Sequence, residues 1–350
     1  MKRTLFIATL ATTLGYPCPA CPHIGLEYTT EMQTDFNNRY NWVNLLRLDF
    51  SQPAGKHLAL QVSTISIAKT RQERLAHDWQ TFSNIEEQNL TLALSVAGIT
   101  WKEGRSSLFL GIRNLNEDYF TTPVTSVFTN SSCGIFPTLS GNVPIANYPL
   151  SSTGIHYVFN SGTWQIQASC YNGQGYNRFT GRENVFRFCP SSDGVFGITS
   201  ILYTFHGSNY LLGSSLHWGL PIPDEKSSNE PIPSASTPTE IRKRVTGSLW
   251  GYAEQQLGPS LHALLQYAIS PSPGSRCKQY AGIGLVWHNP KFEAGIFSDC
   301  ARFVQGDEWA TEATVRIACT EKASIQPVLH LITNTSSTYC IGAIRLCYTL

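Results

Sequence analysis

The chain has few charged residues and no long apolar run. Asp, Glu, Lys and Arg make up 14% of its 350 residues, against about 25% in an ordinary soluble domain. The formal net charge of +1 gives no electrostatic basis for binding nucleic acid. No segment beyond the N-terminal region reaches the roughly 18 consecutive apolar residues of a transmembrane helix. Aromatic residues are abundant, with 17 Phe, 15 Tyr and 8 Trp. This combination suits a β-barrel whose outward face contacts lipid.

The N-terminus has the three-part pattern of a secretory signal. Lys2 and Arg3 precede an apolar run over residues 5–14, and Ala20 supplies a small residue for cleavage. We therefore expect residues 1–20 to be a signal peptide. The same pattern predicts that the remaining chain is secreted.

Alternating apolar residues predict β-strands about every 20 residues. The last segment, Tyr339–Leu350, places Tyr348 and Leu350 on one face, as the closing strand of a barrel does. An edge strand of a soluble sandwich would alternate in the same way, so the period alone leaves both folds open. Similar alternation recurs in residues 57–68, 89–96, 108–113, 164–171, 261–269, 281–288 and 312–319.

Chain length favours the barrel over the sandwich. About 16 segments of about 20 residues fit the expected mature chain, and no boundary divides them into sandwiches of ordinary size. The sequence therefore predicts an all-β fold, an antiparallel transmembrane outer-membrane β-barrel of about 16 strands. It would form a single domain over residues 21–350, and its first strand, within residues 24–35, would pair with residues 341–350.

Two long segments interrupt the strand pattern. Residues 114–150 contain Pro and Gly but also Phe120, Phe128 and Phe136. A free loop would be more polar, so we expect this one to fold into the barrel and to form part of a constriction. Residues 220–243 are rich in Pro, Ser and charge, which is typical of a mobile, solvated loop.

The region from Ser106 to Gly173 contains spaced motifs that resemble a known family. A strand ends in G-x-x-x-x-N within LFLGIRNLNEDYF, TSVFTNSSCG contains S-x-F-x-N-S-S-x-G, and YPLSSTG opens the next strand. These motifs resemble those of the carbohydrate-selective porin (OprB) family. The matching residues are Gly111, Asn116, Ser126, Phe128, Asn130, Ser131, Ser132, Gly134, Tyr148, Pro149, Ser152 and Gly154.

Two further blocks resemble the same family. Residues 192–205 are similar to its S-D-D-G turn and following strand, and residues 311–350 are similar to its three terminal strands. Ile325, Gln326 and Pro327 stand at the L-Q-P-D-L-Q strand, but Val328 replaces the acidic residue. The chain also ends in Leu350 instead of Phe and is shorter than typical members.

The resemblance implies a 16-stranded barrel in the bacterial outer membrane, with a narrow pore for the diffusion of small sugars. Its partners would be small carbohydrates and outer-membrane lipid, with no nucleic acid and no cofactor; assembly into a homo-oligomer stays open. The predicted constriction and substrate pathway consists of Arg113, Glu117, Asp118, Phe128, Asn130 and Ser131. Charges of both signs in this loop would either set a transverse field or pin the loop to the wall by a salt bridge.

Enzymatic motifs are absent from the sequence. G-x-S-x-G, H-E-x-x-H and P-loop patterns do not occur, and the C-x-x-C spacing of Cys18 and Cys21 lies at the signal boundary. We therefore expect neither an enzyme nor a metal site. Three alternatives to a porin remain open at this stage: a non-conducting structural or adhesive barrel, an outer-membrane hydrolase with a hidden triad, and a soluble secreted β-protein.

Overall fold

The computed structural model describes residues 21–181, 183–220 and 243–350. Within them, antiparallel strands follow one another around a closed barrel of 16 strands, which confirms the predicted fold class. The expected signal peptide and almost all of the expected mobile loop at 220–243 lie outside the described residues. The strands are β1 (His23–Thr34), β2 (Tyr40–Ala54), β3 (Leu58–Lys69), β4 (Leu90–Glu103), β5 (Ser106–Arg113), β6 (Ser152–Asn160), β7 (Trp164–Asn172), β8 (Val195–Phe205), β9 (Ser208–Gly219), β10 (Arg244–Gln256), β11 (Leu261–Ile269), β12 (Cys277–His288), β13 (Phe292–Phe303), β14 (Gly306–Ala318), β15 (Ala323–Thr333) and β16 (Thr338–Thr349).

Helical structure is confined to short turns in the connections. The α-helices are α1 (Pro137–Ser140) and α2 (Pro190–Asp193), and 3-10 turns occupy Leu115–Glu117, Thr125–Val127 and Ser131–Cys133. Among the described residues, no helix is long and apolar enough to cross a lipid bilayer.

The first and last strands close the barrel as the sequence predicts. β1 and β16 run antiparallel, in a register that extends from Glu27 opposite Thr349 to Thr34 opposite Gly342. The backbone N–H of Leu350 continues the ladder, donating to the carbonyl oxygen of Leu26 at 2.9 Å. Closure leaves neither terminal strand with a free edge, so their backbone groups need no water.

The outward face of the barrel is apolar along the middle of the strands. In β12, for example, Ile283, Leu285 and Trp287 are exposed, whereas Gly284 and Val286 between them are buried against the interior. Such a band is unfavourable in water and matches the hydrocarbon core of a membrane. Exposed aromatic residues lie near both ends of the strands, as in the girdles of membrane barrels: Trp101, Trp164, Phe205 and Trp287 at one end, and Trp42, Trp218, Tyr267 and Trp309 at the other.

The connections differ sharply between the two ends. Turns of two to four residues join the strands at the end that holds both described termini, and we call this the short-turn end. The connections at residues 70–89, 114–151 and 173–194 all lie at the opposite, long-loop end. At that end Tyr176 and Val185 cover Ile112 on the outside of the wall.

One strand departs from the alternation read from the sequence. The alternation over residues 89–96 predicts Leu94 and Val96 on one face, but the register of β4 shifts against β3 between them. Leu94 pairs with Thr64 and Val96 with Ser63, so Val96 turns to the interior, where it is buried. A bulge inserts one residue and therefore reverses the faces beyond it.

Candidate pore constriction

Residues 114–151, here called the inner loop, lie inside the barrel and pack against one side of its wall. The ring of Phe120 lies 5.4 Å from that of Trp250, Phe128 lies 5.2 Å from Phe297, and Phe136 lies 5.4 Å from Tyr280. The three loop rings are between 1% and 3% exposed. We call the side they cover, formed by the inward faces of β7–β13, the apolar wall. The buried residues of this wall that share one apolar cluster with the loop are Tyr171, Phe196, Ile198, Leu211, Trp250, Tyr252, Leu264, Ala268, Cys277, Tyr280, Val286, Phe297, Ala301 and Phe303.

A glycine in the apolar wall makes one of these contacts possible. A Cβ atom on Gly295 would lie only 2.8 Å from the Phe128 ring. The missing side chain leaves a shallow depression, and the ring fills it. Any larger residue at this position would push the inner loop off the wall.

Polar side chains of β13–β15, at the edge of the apolar wall, hold the turn 127–130 of the same loop. The Glu312 carboxylate accepts the backbone N–H groups of Thr129 and Asn130, both at 2.8 Å. The Asn130 amide donates to an Asp299 oxygen at 3.0 Å, and Gln326 donates to the carbonyl of Val127 at 2.8 Å. Buried backbone groups need such partners, and these bonds supply them along the turn 127–130.

A second set of contacts joins the start of the inner loop to β2. Both guanidinium nitrogens of Arg47 donate to the Glu117 carboxylate, at 2.6 and 3.0 Å, and the Ser95 hydroxyl donates to it at 2.8 Å. Arg47 also donates through Nε to Asp49 at 3.0 Å. Asp49 in turn accepts from the Ser63 hydroxyl at 2.5 Å. Arg47, Asp49, Ser63 and Ser95 lie on the inward faces of β2–β4, which we call the polar wall, whereas Glu117 belongs to the inner loop.

Beside them, Arg113 and Asp118 form a two-point ion pair at 2.5 and 2.6 Å. The guanidinium also lies 4.7 Å above the centre of the Phe109 ring. That ring lies close over Gly98, where an added Cβ would come within 2.5 Å of it. The His156 ring places Nε2 at 3.3 Å from Asp118. Residues of strands β4–β6 therefore hold this ion pair in place.

The structure divides the six predicted residues into two groups. It brings Arg113, Glu117 and Asp118 together beside the polar wall. Phe128 and Asn130 are 3% and 1% exposed, so they hold the inner loop in place and have almost no contact with water. Ser131 lies elsewhere, in a cleft at the long-loop end.

Sequence reasoning missed Arg47 and Asp49, which complete the charged group. Both stand on the inward face of β2, between the outward Leu46, Leu48 and Phe50. The sequence feature that could have identified them is a pair of opposite charges two residues apart within the otherwise apolar run LLRLDF. Together with Arg113, Glu117 and Asp118 they form the constriction cluster, in which two guanidinium groups face three carboxylates, and Glu27 of β1 stands opposite Arg47 beside it.

Comparisons with known proteins bear on the fold. No protein-family profile and no curated protein sequence matches the chain. Among solved structures, the high-pH form of OprB from Pseudomonas putida superposes with a TM-score of 0.77 at 14% identity, covering 95% of this chain and 94% of that one. OmpT of Vibrio cholerae gives 0.59 at 10% identity, covering 96% and 99%. A mutant of the Rh. blastica porin gives 0.56 at 6% identity, covering 94% and 100%.

At these identities the likeness concerns the fold alone. The fold is that of the outer-membrane porins, over nearly the whole length of the chain and of its neighbours. The apolar outward band and the aromatic girdles agree with the expected location in a bacterial outer membrane.

Proposed function

We propose that the protein is an outer-membrane porin through which small solutes, preferentially carbohydrates, diffuse passively. The observation that supports this is the unequal division of the barrel interior. The inner loop covers the apolar wall with its aromatic side chains. On the polar wall, Arg47 and Asp49 stay partly in contact with solvent, with side chains 13% and 34% exposed, and Glu117 of the inner loop, which pairs with Arg47, is 9% exposed. A solute path would therefore run along the polar wall.

The chemistry of that wall suits neutral, hydroxyl-rich solutes. Uncharged groups such as Gln61, Ser63 and Thr100 lie on its inward face, and Thr100 donates to Gln61 at 2.7 Å. Hydroxyls and amides can exchange hydrogen bonds with a passing sugar without a net charge requirement. The opposite charges of the constriction cluster neutralise each other over short distances, so a strong preference for one ion sign is not expected.

The test is conductance of the purified barrel in planar bilayers, with and without sugars. We expect discrete channels whose current falls when glucose or maltose is added at millimolar concentration. Sugars that pass quickly must bind weakly, so their dissociation constants should lie in that range. Swelling of liposomes in arabinose, glucose and raffinose would then rank solutes by size. Strong anion or cation preference, with no sugar reducing the current, would remove the carbohydrate assignment and leave a general porin.

A second function is favoured by one observation, the extent of packing inside the barrel. The apolar cluster between the inner loop and β7–β13 fills a large part of the interior. A barrel filled in this way would serve as a non-conducting structural or adhesive protein. Folded protein, recognised by its heat-modifiable migration on gels, that inserts into bilayers without any channel events would establish this alternative. Neither function requires a catalytic residue, a metal or a cofactor, and none is proposed.

A further inference from the structure

A cleft of about 210 Å³ opens at the long-loop end, away from the constriction cluster. One side is formed by residues 74–87, within the connection between β3 and β4, and the other by residues 131–148 of the inner loop. The two loops are fixed to each other by backbone bonds, from Asn84 to the carbonyl of Thr129 at 2.8 Å and from Ser131 to the carbonyl of Thr81 at 3.1 Å. The cleft therefore lies between two loops whose backbones are hydrogen-bonded to each other.

Three polar side chains that line the cleft are free to bind a ligand. Within the described part of the chain, the side chains of Asn84, Ser131 and Asn147 make no hydrogen bond, although their backbone N–H groups do. Two amides and a hydroxyl therefore present donors and acceptors to the cleft from opposite sides. Because their backbones are fixed, these groups can bind a ligand without ordering a loop first.

A buried carboxylate at the cleft has an unused oxygen. Glu86 is 2% exposed, and its Oε1 accepts from the Asn41 amide at 3.1 Å and lies 3.6 Å from the Lys69 ammonium. Its Oε2 is enclosed and has no hydrogen-bond partner among the described residues. A buried acceptor without a partner is unfavourable, and a rotation of the Glu86 side chain that turned this oxygen toward a ligand hydroxyl in the cleft would remove the penalty.

Aromatic rings and balanced charge narrow the class of ligand. Trp79 and Tyr148 line the cleft, and the Tyr148 hydroxyl is already bound to the carbonyl of Ile85 at 3.1 Å, which leaves its ring available for packing. The Arg74–Glu87 pair at the cleft neutralises itself, and Lys69 stands behind Glu86. Balanced charge favours a neutral ligand. Ligand hydroxyl groups, which both donate and accept hydrogen bonds, could pair with the side-chain amides, the serine hydroxyl and the carboxylate of the cleft.

We infer that this cleft binds one monosaccharide-sized pyranose at the mouth of the barrel. The inference rests on the proposed carbohydrate preference and deepens it, since a sugar held here would lie at the entrance of the path along the polar wall. Its volume suits a single ring and excludes an oligosaccharide from full entry. The expected affinity is weak, around the millimolar range, because solutes must leave as readily as they arrive.

The test is isothermal titration of D-glucose, D-galactose and L-arabinose into the full-length barrel in detergent. We expect saturable binding of at least one of these sugars. The double variant Asn84→Ala/Asn147→Ala removes no internal hydrogen bond, so it should fold normally and raise the dissociation constant about tenfold or more. The matched control is Asn177→Ala, a residue of another loop at the same end outside the cleft, which should leave the dissociation constant within about twofold.

The outcomes separate this inference from the proposed function. Unchanged sugar affinity in the double variant, with heat-modifiable migration intact, would overturn the cleft assignment even if channels are observed. A heat signal with CaCl₂ but with none of the three sugars would also overturn it, in favour of a cation site at Glu86. Sugar binding that depends on Asn84 and Asn147 in a barrel without conductance would instead keep the cleft and refute the porin.

Discussion

Replacing Asp49 with Asn should change the ion preference of the channel without changing its structure. Asp49 is the most exposed acid of the constriction cluster, at 34%, compared with 9% for Glu117 and 7% for Asp118. Asparagine keeps an oxygen in the position that accepts from Ser63 and Arg47. The substitution therefore removes one negative charge from the cluster.

The size of the effect follows from Coulomb's law. An ion passing about 5 Å from the carboxylate in a water-like medium interacts with it by about 0.8 kcal/mol. Screening at about 0.1 M salt reduces this to about 0.5 kcal/mol. The charge attracts a cation and repels an anion by that amount, so its removal changes their relative barriers by about 1 kcal/mol. The cation-to-anion permeability ratio should then fall about fivefold.

Reversal potentials across a KCl gradient measure this ratio directly. Asp307→Asn serves as the control, because Asp307 pairs with Arg302 on the outward rim and both are well exposed there. Only the Asp49 variant should change the ratio, and single-channel conductance should remain of the same order in both. If the Asp49 variant has the wild-type ratio while its channels open normally, ions do not pass the constriction cluster and the assigned path is wrong.

Three further predictions concern packing, lipid contact and pH. Phe136→Ala should lower the free energy of unfolding by about 3–5 kcal/mol and produce noisier channels, because the ring contacts Phe120 and Tyr280; calorimetry and bilayer recordings test this against the exposed control Phe179→Ala. Ile344→Asp in the middle of β16 should impair assembly more than Leu350→Asp at its end, since a lipid-facing charge costs most near the bilayer centre; equal folded fractions on unheated gels would contradict this. Burial raises the pKa of Asp78 to about 7, aided by the Glu308 carboxylate and opposed by Arg74. The folded protein then binds a proton that the unfolded chain has lost, so stability should fall as pH rises from about 4 to about 7, and Asp78→Asn should flatten that slope in thermal unfolding scans.

Local alternation was enough to predict most of the wall. From Tyr280 to its end, β12 follows the period of two, with Ile283, Leu285 and Trp287 outward, because lipid on one side and packed interior on the other impose it. β4 shows the limit of that reasoning. The shift that turns Val96 inward depends on how β4 meets β3, which no pattern within β4 reveals.

The candidate site was harder to predict because its parts are distant in sequence. The aromatic content of residues 114–150 indicated packing, and Phe120, Phe128 and Phe136 are indeed buried. Which wall they would contact could not be read from the loop itself. Arg47 meets Glu117 across 70 positions of sequence. That contact exists only after the barrel has closed and the loop has entered it, so composition and spacing around either residue carry no sign of it.

Two segments inside the barrel, one at residues 79–80 and one in the inner loop, are held by their backbones. This explains how a filled interior can still leave one side polar. Glu308 and Glu312 lie four residues apart on β14, so both point inward. Glu308 accepts the backbone N–H groups of Trp79 and Gln80, each at 2.9 Å, and Glu312 accepts those of two residues of the inner loop. Both segments are thus held through their backbones from a single strand. Because these bonds do not depend on loop side chains, those side chains remain available to cover the apolar wall on one side and to line the cleft at the long-loop end on the other.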